Sequence, residues 1–161
     1  IKIQGLTRMN KMLIIVTAVF VVIVIAFFVL GIMSKSGHAP GLKQGQLQAC
    51  TSIENCVFSE TIDGIDNNIQ PFAFDGDKAM FLTQLKTSVE SMGGEIVNIE
   101  DGYIAATFTS SVFGFVDDLE LRVNNDNLLH FRSASRVGKS DLGANKKRVE
   151  ALKLLLQRAS E

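Results

Sequence analysis

Hydrophobic residues form one long continuous run near the start of the chain, and shorter periodic patterns follow it. No charged residue occurs between Lys11 and Lys35. As a helix rising about 1.5 Å per residue, residues 13–33 are long enough to cross a hydrocarbon core of ~30 Å. A cleaved signal peptide has a shorter apolar region, and the SKSGHAP that follows is a poor cleavage site. We therefore predict an uncleaved transmembrane helix over residues 13–33 that contacts the lipid bilayer.

Charge on either side of the run predicts its orientation. Lys2, Arg8 and Lys11 precede it, whereas only Lys35 follows it closely. Because cationic flanks tend to stay on the cytoplasmic side, we expect residues 1–12 in the cytoplasm and the remainder exported. The segment after the run, residues 34–49, is rich in Gly, Ser and Gln and indicates a flexible tether. Residues 50–161 are then the exported domain.

Helical periodicity recurs twice in the exported part. Residues 77–92 are apolar at helical spacing and are followed by two glycines, with Asp75 or Asp77 as the candidate N-cap. A last helix is expected over residues 142–158, after Ser140 or Asp141. Its expected buried positions are Val149, Leu152, Leu156 and Ala159.

Four segments between these helices have the period-two patterning and β-favouring residues of strands: EIVNIE, YIAATFT, FVDDLELRV and LLHFRSAS. A loop of about three residues centred on Asp126 sets the register of the last two strands. It places Val123 opposite Leu129, Leu121 opposite Phe131, and Leu119 opposite Ser133 on one face, with Arg122 opposite His130 and Glu120 opposite Arg132 on the other. We predict an α+β fold, an antiparallel sheet of about four or more strands with two helices packed on one face, preceded by the transmembrane helix.

Both cysteines, Cys50 and Cys56, lie in the exported part. In an oxidising compartment the simplest interpretation is a structural disulfide that closes a small loop. A metal site would need further ligands, and the chain has only two histidines. We therefore expect neither a metal nor a cofactor.

Several motifs in order, CTSIENCVFS, IQPF, YIAATFTS, FGFVDD and RSASRVGKSDLGANKKRVEAL, resemble domain-of-unknown-function family 1499. The resemblance covers about residues 50–155, nearly the whole exported domain. It implies a membrane-associated protein of a bacterial family that has relatives in photosynthetic organelles. Together with the apolar run and its flanking charges, it predicts a single-pass protein of the bacterial inner membrane with a periplasmic domain. The family's activity is not established, so the resemblance supplies no catalytic residues.

Positive charge is concentrated at the end of the chain. Residues 50–128 contain three Lys or Arg against fourteen Asp or Glu, whereas residues 129–161 contain eight against three. Part of this charge surrounds the start of the last helix, where free N–H groups favour an anion. We expect an anion-binding site formed by Arg132, Ser133, Ser135, Arg136, Ser140, Asn145, Lys146, Lys147 and Arg148.

The alternative is that these cations are paired within the domain. Arg132 would then bind Glu120, and Arg136 or Arg148 would hold Asp117, Asp118 or Asp141. The two adjacent aspartates are the expected buried acid partners, and because neighbours on a strand point to opposite faces, they do not form a catalytic dyad. For Asp117, on the face of Leu119, Ser135 or Arg136 is the expected partner.

No reaction is indicated by the sequence. His130 and Ser133 face opposite sides of a strand, and zinc, P-loop and dinucleotide fingerprints are absent. We expect a non-enzymatic module that binds an anionic lipid, a glycan or an acidic protein partner, and not nucleic acid. Two alternatives are an assembly factor that contacts a protein through SVFGF and a sheet edge, and an enzyme that clamps an anionic envelope substrate with the same arginines.

Overall fold

The computed structural model describes residues 2–62 and 68–159. Three helices span α1 Lys2–Ser34, α2 Lys78–Ser91 and α3 Ala144–Ala159. Eight strands span β1 Leu42–Lys43, β2 Gln46–Leu47, β3 Cys56–Phe58, β4 Phe72–Ala73, β5 Glu95–Glu100, β6 Tyr103–Thr109, β7 Val116–Val123 and β8 Leu128–Ser135. The predicted α+β class is confirmed.

The main sheet is antiparallel and has the order β3-β8-β7-β6-β5, with the short β4 also paired to β8. The four predicted strands are β5 to β8. The register predicted for the hairpin of β7 and β8 is confirmed, with Leu121 opposite Phe131 and Glu120 opposite Arg132. Alternation along β7 and β8 therefore separates an apolar face of the sheet from a charged face.

Helices α2 and α3 cover the apolar face. The core joins β6, β7 and β8 to both helices, and its fully buried members include Leu85, Leu119, Phe131, Val149 and Leu152. Helix α2 begins as predicted, because the Asp77 carboxylate accepts a hydrogen bond from Met80 N at 2.9 Å.

Helix α3 begins two residues later than predicted. Leu142 and Gly143 have φ values of +54° and +80°, so neither continues a right-handed helix. Asp141 precedes this turn and accepts hydrogen bonds from Gly143 N and Asn145 N. At the other end, the prediction that Ala159 is buried is wrong, because this last residue of α3 is exposed.

The predicted flexible tether is wrong for the middle of residues 34–49. Strands β1 and β2 form a hairpin there, and Leu47 is buried against Tyr103 and Ala105 on the charged face. Gly41 N also donates a 2.9 Å hydrogen bond to the Glu120 carboxylate. This segment therefore covers the face of the sheet that the helices leave open. The predicted disulfide between Cys50 and Cys56 follows it and is confirmed.

Helix α1 contains Met9–Ser34, a stretch long and apolar enough to cross a membrane, which contains the predicted residues 13–33. Its end packs on the loop between β6 and β7, where the Phe113 ring lies 5.1 Å from that of Phe27. Gly31 is buried against this loop, and a Cβ there would overlap the Phe113 carbonyl oxygen. The Ser34 hydroxyl accepts a 3.0 Å hydrogen bond from Val116 N. The predicted aromatic stretch thus contacts α1.

Leu47→Ala tests whether the hairpin of β1 and β2 is part of the folded domain. Loss of a fully buried leucine should lower the free energy of unfolding by about 2 to 5 kcal/mol. Leu42→Ala, at an exposed position of the same hairpin, should change it by less than about 0.5 kcal/mol. Denaturant unfolding of the full chain in detergent micelles, followed by β-sheet circular dichroism, measures both. Equal small effects would mean that the hairpin does not contribute to the fold.

Candidate functional site

The nine residues predicted to bind an anion do not form one surface. Arg132 and Arg136 lie on the charged face of the sheet, whereas Ser133, Ser135 and Arg148 lie on the face covered by α3. Lys146 and Lys147 are exposed on α3, and Ser140 is exposed in the loop before it. The predicted site is therefore divided among the two faces of the sheet and the exposed surface around the start of α3.

On the charged face, each arginine is paired with an acid. Arg132 Nη1 donates to Glu120 Oε2 at 2.8 Å, and Glu120 is completely buried. Arg136 makes a bidentate pair with Asp118, with N···O distances of 2.9 and 2.7 Å. The alternative of internal pairing is confirmed for both arginines. Glu120 and Arg132 are both buried, and leaving either charge without its partner would cost several kcal/mol.

A second bidentate pair on this face involves Arg122 and Glu60, which are not among the nine predicted site residues. Arg122 donates to both carboxylate oxygens of Glu60 at 2.6 and 3.0 Å. Glu60 is buried, and it also accepts a hydrogen bond from Leu47 N. The predicted register had already placed Arg122 beside His130, but no local pattern indicates that Glu60 approaches them from outside the hairpin.

On the face of the sheet that α3 covers, the Asp117 carboxylate pairs with a residue of α3. Its carboxylate accepts from Arg148 Nη2 at 2.7 Å, so the predicted partners, Ser135 and Arg136, are wrong. Asn145 is completely buried and accepts from the Ser133 hydroxyl, while its amide group donates to Ser135. The predicted pairing of Arg148 with an aspartate is confirmed. We call these five residues, Asp117, Ser133, Ser135, Asn145 and Arg148, the helix-side cluster.

The backbone amides at the start of α3 bind a carboxylate of the chain itself, that of Asp141. Burial alone would raise the pKa of Asp141, but hydrogen bonds from Asn145 N and Gly143 N outweigh this and lower that pKa. The carboxylate therefore occupies the position that a bound anion would take at the amides of this helix. Ser140 acts locally, with its hydroxyl accepting a hydrogen bond from Leu142 N.

The lysine pair, Lys146 and Lys147, differs from the arginines. Both side chains are exposed, and no acidic group of the described residues forms an ion pair with either. They line a shallow groove of about 410 Å³ together with Ala151 and Leu154, and Leu154 is 54% exposed. Glu150 also lines this groove, so its net charge is positive.

Burial shifts the pKa of three groups on the charged face. It lowers the pKa of His130, and Arg122 lowers it further, while Glu60 opposes both. It raises the pKa of Glu120, against the opposing effects of Arg132 and of the Tyr103 hydroxyl. The pKa of Tyr103 is raised well above its usual range, first by burial and then by the adjacent Glu120 carboxylate. These shifts follow from desolvation within an ion-pair network.

The contacts of His130 do not form a nucleophilic relay. Ser59 Oγ lies 3.4 Å from His130 Nδ1, and a Glu60 oxygen lies 3.6 Å from the same nitrogen. A serine nucleophile and an orienting acid must contact different ring nitrogens. The Ser59 hydroxyl is buried and accepts a hydrogen bond from Phe131 N. Within residues 2–62 and 68–159, no three His, Cys, Asp or Glu side chains converge on a possible metal site.

The segment that contains most of these contacts matches a known protein family. The family described as "Protein of unknown function (DUF1499)" matches residues 46–156, from β2 to the buried end of α3. The chain belongs to this family. The DUF1499 match includes the charged face, the helix-side cluster and the lysine pair, but only the last two residues of the hairpin of β1 and β2. No curated protein and no solved structure matches the chain.

His130→Gln tests the electrostatics of this DUF1499 domain. The folded state keeps His130 neutral at pH values where the unfolded chain binds a proton, so the free energy of unfolding should fall as the pH drops below 6.5. The variant should lose that part of the pH dependence. His38→Gln, at an exposed position, should retain it. Amide hydrogen exchange of β8 between pH 7.5 and 5 measures the difference, and identical profiles for both variants would contradict it.

Proposed function

We propose that the chain is a non-enzymatic binding module, anchored in the bacterial inner membrane by α1, that recognises an acidic protein partner through the lysine pair. The carrying observation is a contrast within the basic block, residues 132–148. Its three arginines are held by Glu120, Asp118 and Asp117, whereas Lys146 and Lys147, unlike Lys139, have no acidic partner among the described residues.

The location is supported by α1 and by the charges around it. The cationic residues before the apolar run favour a cytoplasmic N-terminus, and a disulfide is typical of an oxidising compartment such as the periplasm. The domain then faces the periplasm and stays close to the membrane, because the Ser34 hydroxyl binds Val116 N.

The groove beside the lysine pair suits a polypeptide with both acidic and apolar side chains. Leu154 and Ala151 supply apolar contact, and the lysines at one end supply positive charge. Exposed charges of this kind mainly determine the rate and the specificity of association. A glycan would use the lysines but not Leu154, which is why the groove favours a protein.

A binding role is also supported by how the acids are engaged. Asp117 and Asp118 lie on opposite faces of the sheet, and each carboxylate is held by an arginine. His130 shares a single nitrogen between Ser59 and Glu60. These contacts leave the acids and His130 in structural roles, which supports a binding function over an enzymatic one.

Lys146→Glu combined with Lys147→Glu tests the proposal. In zwitterionic nanodiscs, the wild-type chain should bind a fluorescent peptide rich in aspartate and leucine, and added salt should weaken the binding. The double variant should bind at least about tenfold more weakly, since two attractive contacts become repulsive. Fluorescence anisotropy measures the affinity. The substitutions leave the fold intact because both side chains are exposed and acids near a helix start are favourable.

The matched control reverses two exposed lysines elsewhere, Lys43→Glu with Lys86→Glu, so that the net charge changes equally. This control should retain most of the affinity. Equal weakening in both double variants would indicate only a general effect of net charge, and equal affinity of the wild-type chain and the Lys146 and Lys147 variant would exclude the lysine pair as the binding site.

A further inference from the structure

A cleft separates the end of α1 from the domain. Its volume is about 400 Å³, and its apolar lining comes from both sides of the junction. Phe27 and Leu30 belong to α1, whereas Phe115, Val137 and Leu142 belong to loops of the domain. We call it the junction cleft.

The junction cleft reaches into the apolar part of α1. Phe27 precedes Ser34 by seven residues, or about 10 Å along the helix axis, and the first charge after it is Lys35. The loop between β6 and β7 is held at this depth, because Phe113 packs on both Phe27 and Phe28. With the apolar run in the bilayer, the cleft lies at the level of the headgroups and the upper acyl chains.

Two hydrophobic side chains around the junction are largely exposed, although contact between apolar groups and water is unfavourable. Leu142 lines the cleft and is 89% exposed, and its backbone φ is +54°. Val112, in the loop between β6 and β7 that contacts α1, is 66% exposed. Contact with lipid would remove this apolar surface from water, at about 25 cal/mol per Å² buried.

The charged side chains that line the cleft are one cation, Lys139, and two carboxylates that the domain already engages, Asp117 by Arg148 and Asp141 by backbone amides. Lys139 lines the cleft with an 87% exposed side chain, and its nearest acid is a Glu54 oxygen at 3.9 Å. Lys35, the residue after α1, lies beside Gly114 of the loop that packs on the helix. An exposed ion pair of this length contributes little, so Lys139 is available to a second anion.

We propose that the junction cleft binds one acyl chain of an anionic phospholipid, with its phosphate at Lys139. This site is separate from the lysine pair and goes beyond the proposed recognition of an acidic protein. Apolar residues from the membrane helix, exposed Leu142 and a lysine at the rim match the two parts of such a lipid. A fatty chain without an anionic headgroup would use the cleft but not the lysine.

The chain has no tryptophan, so Leu142→Trp introduces a unique fluorophore at an exposed position of the cleft. The full-length variant is placed in phosphatidylcholine nanodiscs that contain a low fraction of phospholipid brominated on its acyl chains. Brominated phosphatidylglycerol should quench the tryptophan at an about fivefold lower mole fraction than brominated phosphatidylcholine, from the attraction of one lysine.

Lys139→Glu in the Leu142→Trp background should remove the preference for the anionic lipid, whereas Lys43→Glu, outside the cleft, should preserve it. Ile99→Trp places the fluorophore at a matched exposed position that should not be quenched. Ile99 pairs with Ile104 of β6, five residues or about 16 Å from Thr109, where the loop that contacts α1 begins. Equal quenching by both lipids would mean contact with bulk bilayer only and overturn the site. Absence of quenching at Leu142→Trp would overturn it as well.

Discussion

Pairing of buried charge is the constraint on which the rest of this domain depends. On the charged face of the sheet, Glu60 and Glu120 are almost completely removed from water, and each is neutralised by an arginine on β7 or β8. Without these partners, the desolvation of the carboxylates would cost several kcal/mol each. The same requirement explains why the segment from Gly41 to Leu47 lies on this face, since its two end residues donate further backbone hydrogen bonds to both carboxylates.

The two kinds of cation in the basic block have different physical roles. A guanidinium presents parallel donors and suits a buried, bidentate pair such as that of Arg136 with Asp118. An ammonium is strongly hydrated and flexible, so it is less costly to leave in water. Lys146 and Lys147 are accordingly exposed to solvent, whereas the three arginines of the block are paired with acids within the fold. Among the described residues, Arg132 Nε is the one buried side-chain nitrogen or oxygen atom without a hydrogen-bond partner.

The contact between α1 and the domain connects the apolar helix to the main sheet. Gly31 allows the helix to approach the Phe113 backbone closely, and Ser34 binds Val116 at the start of β7. Because β7 carries Asp117 and Asp118, the end of α1 is adjacent to the paired charges on both faces of the sheet. A second link runs through Arg136, which donates to the carbonyl oxygens of Ser34 and Lys35 as well as to Asp118. The orientation of the domain relative to α1 is therefore fixed by several contacts.

Local chemistry in the sequence was sufficient for the apolar helix, an N-cap at Asp75 or Asp77, the four long strands and the register of the last hairpin. Each follows from periodicity or from turn length over a few adjacent residues. Tertiary structure alone decided that Glu60 pairs with Arg122, that Arg148 rather than Ser135 or Arg136 holds Asp117, and that Leu47 is buried. These contacts join segments far apart in the chain, and a charged or small polar residue carries no local signal of the partner that compensates its desolvation. Whether the basic block faced outward or inward was therefore a property of the assembled sheet.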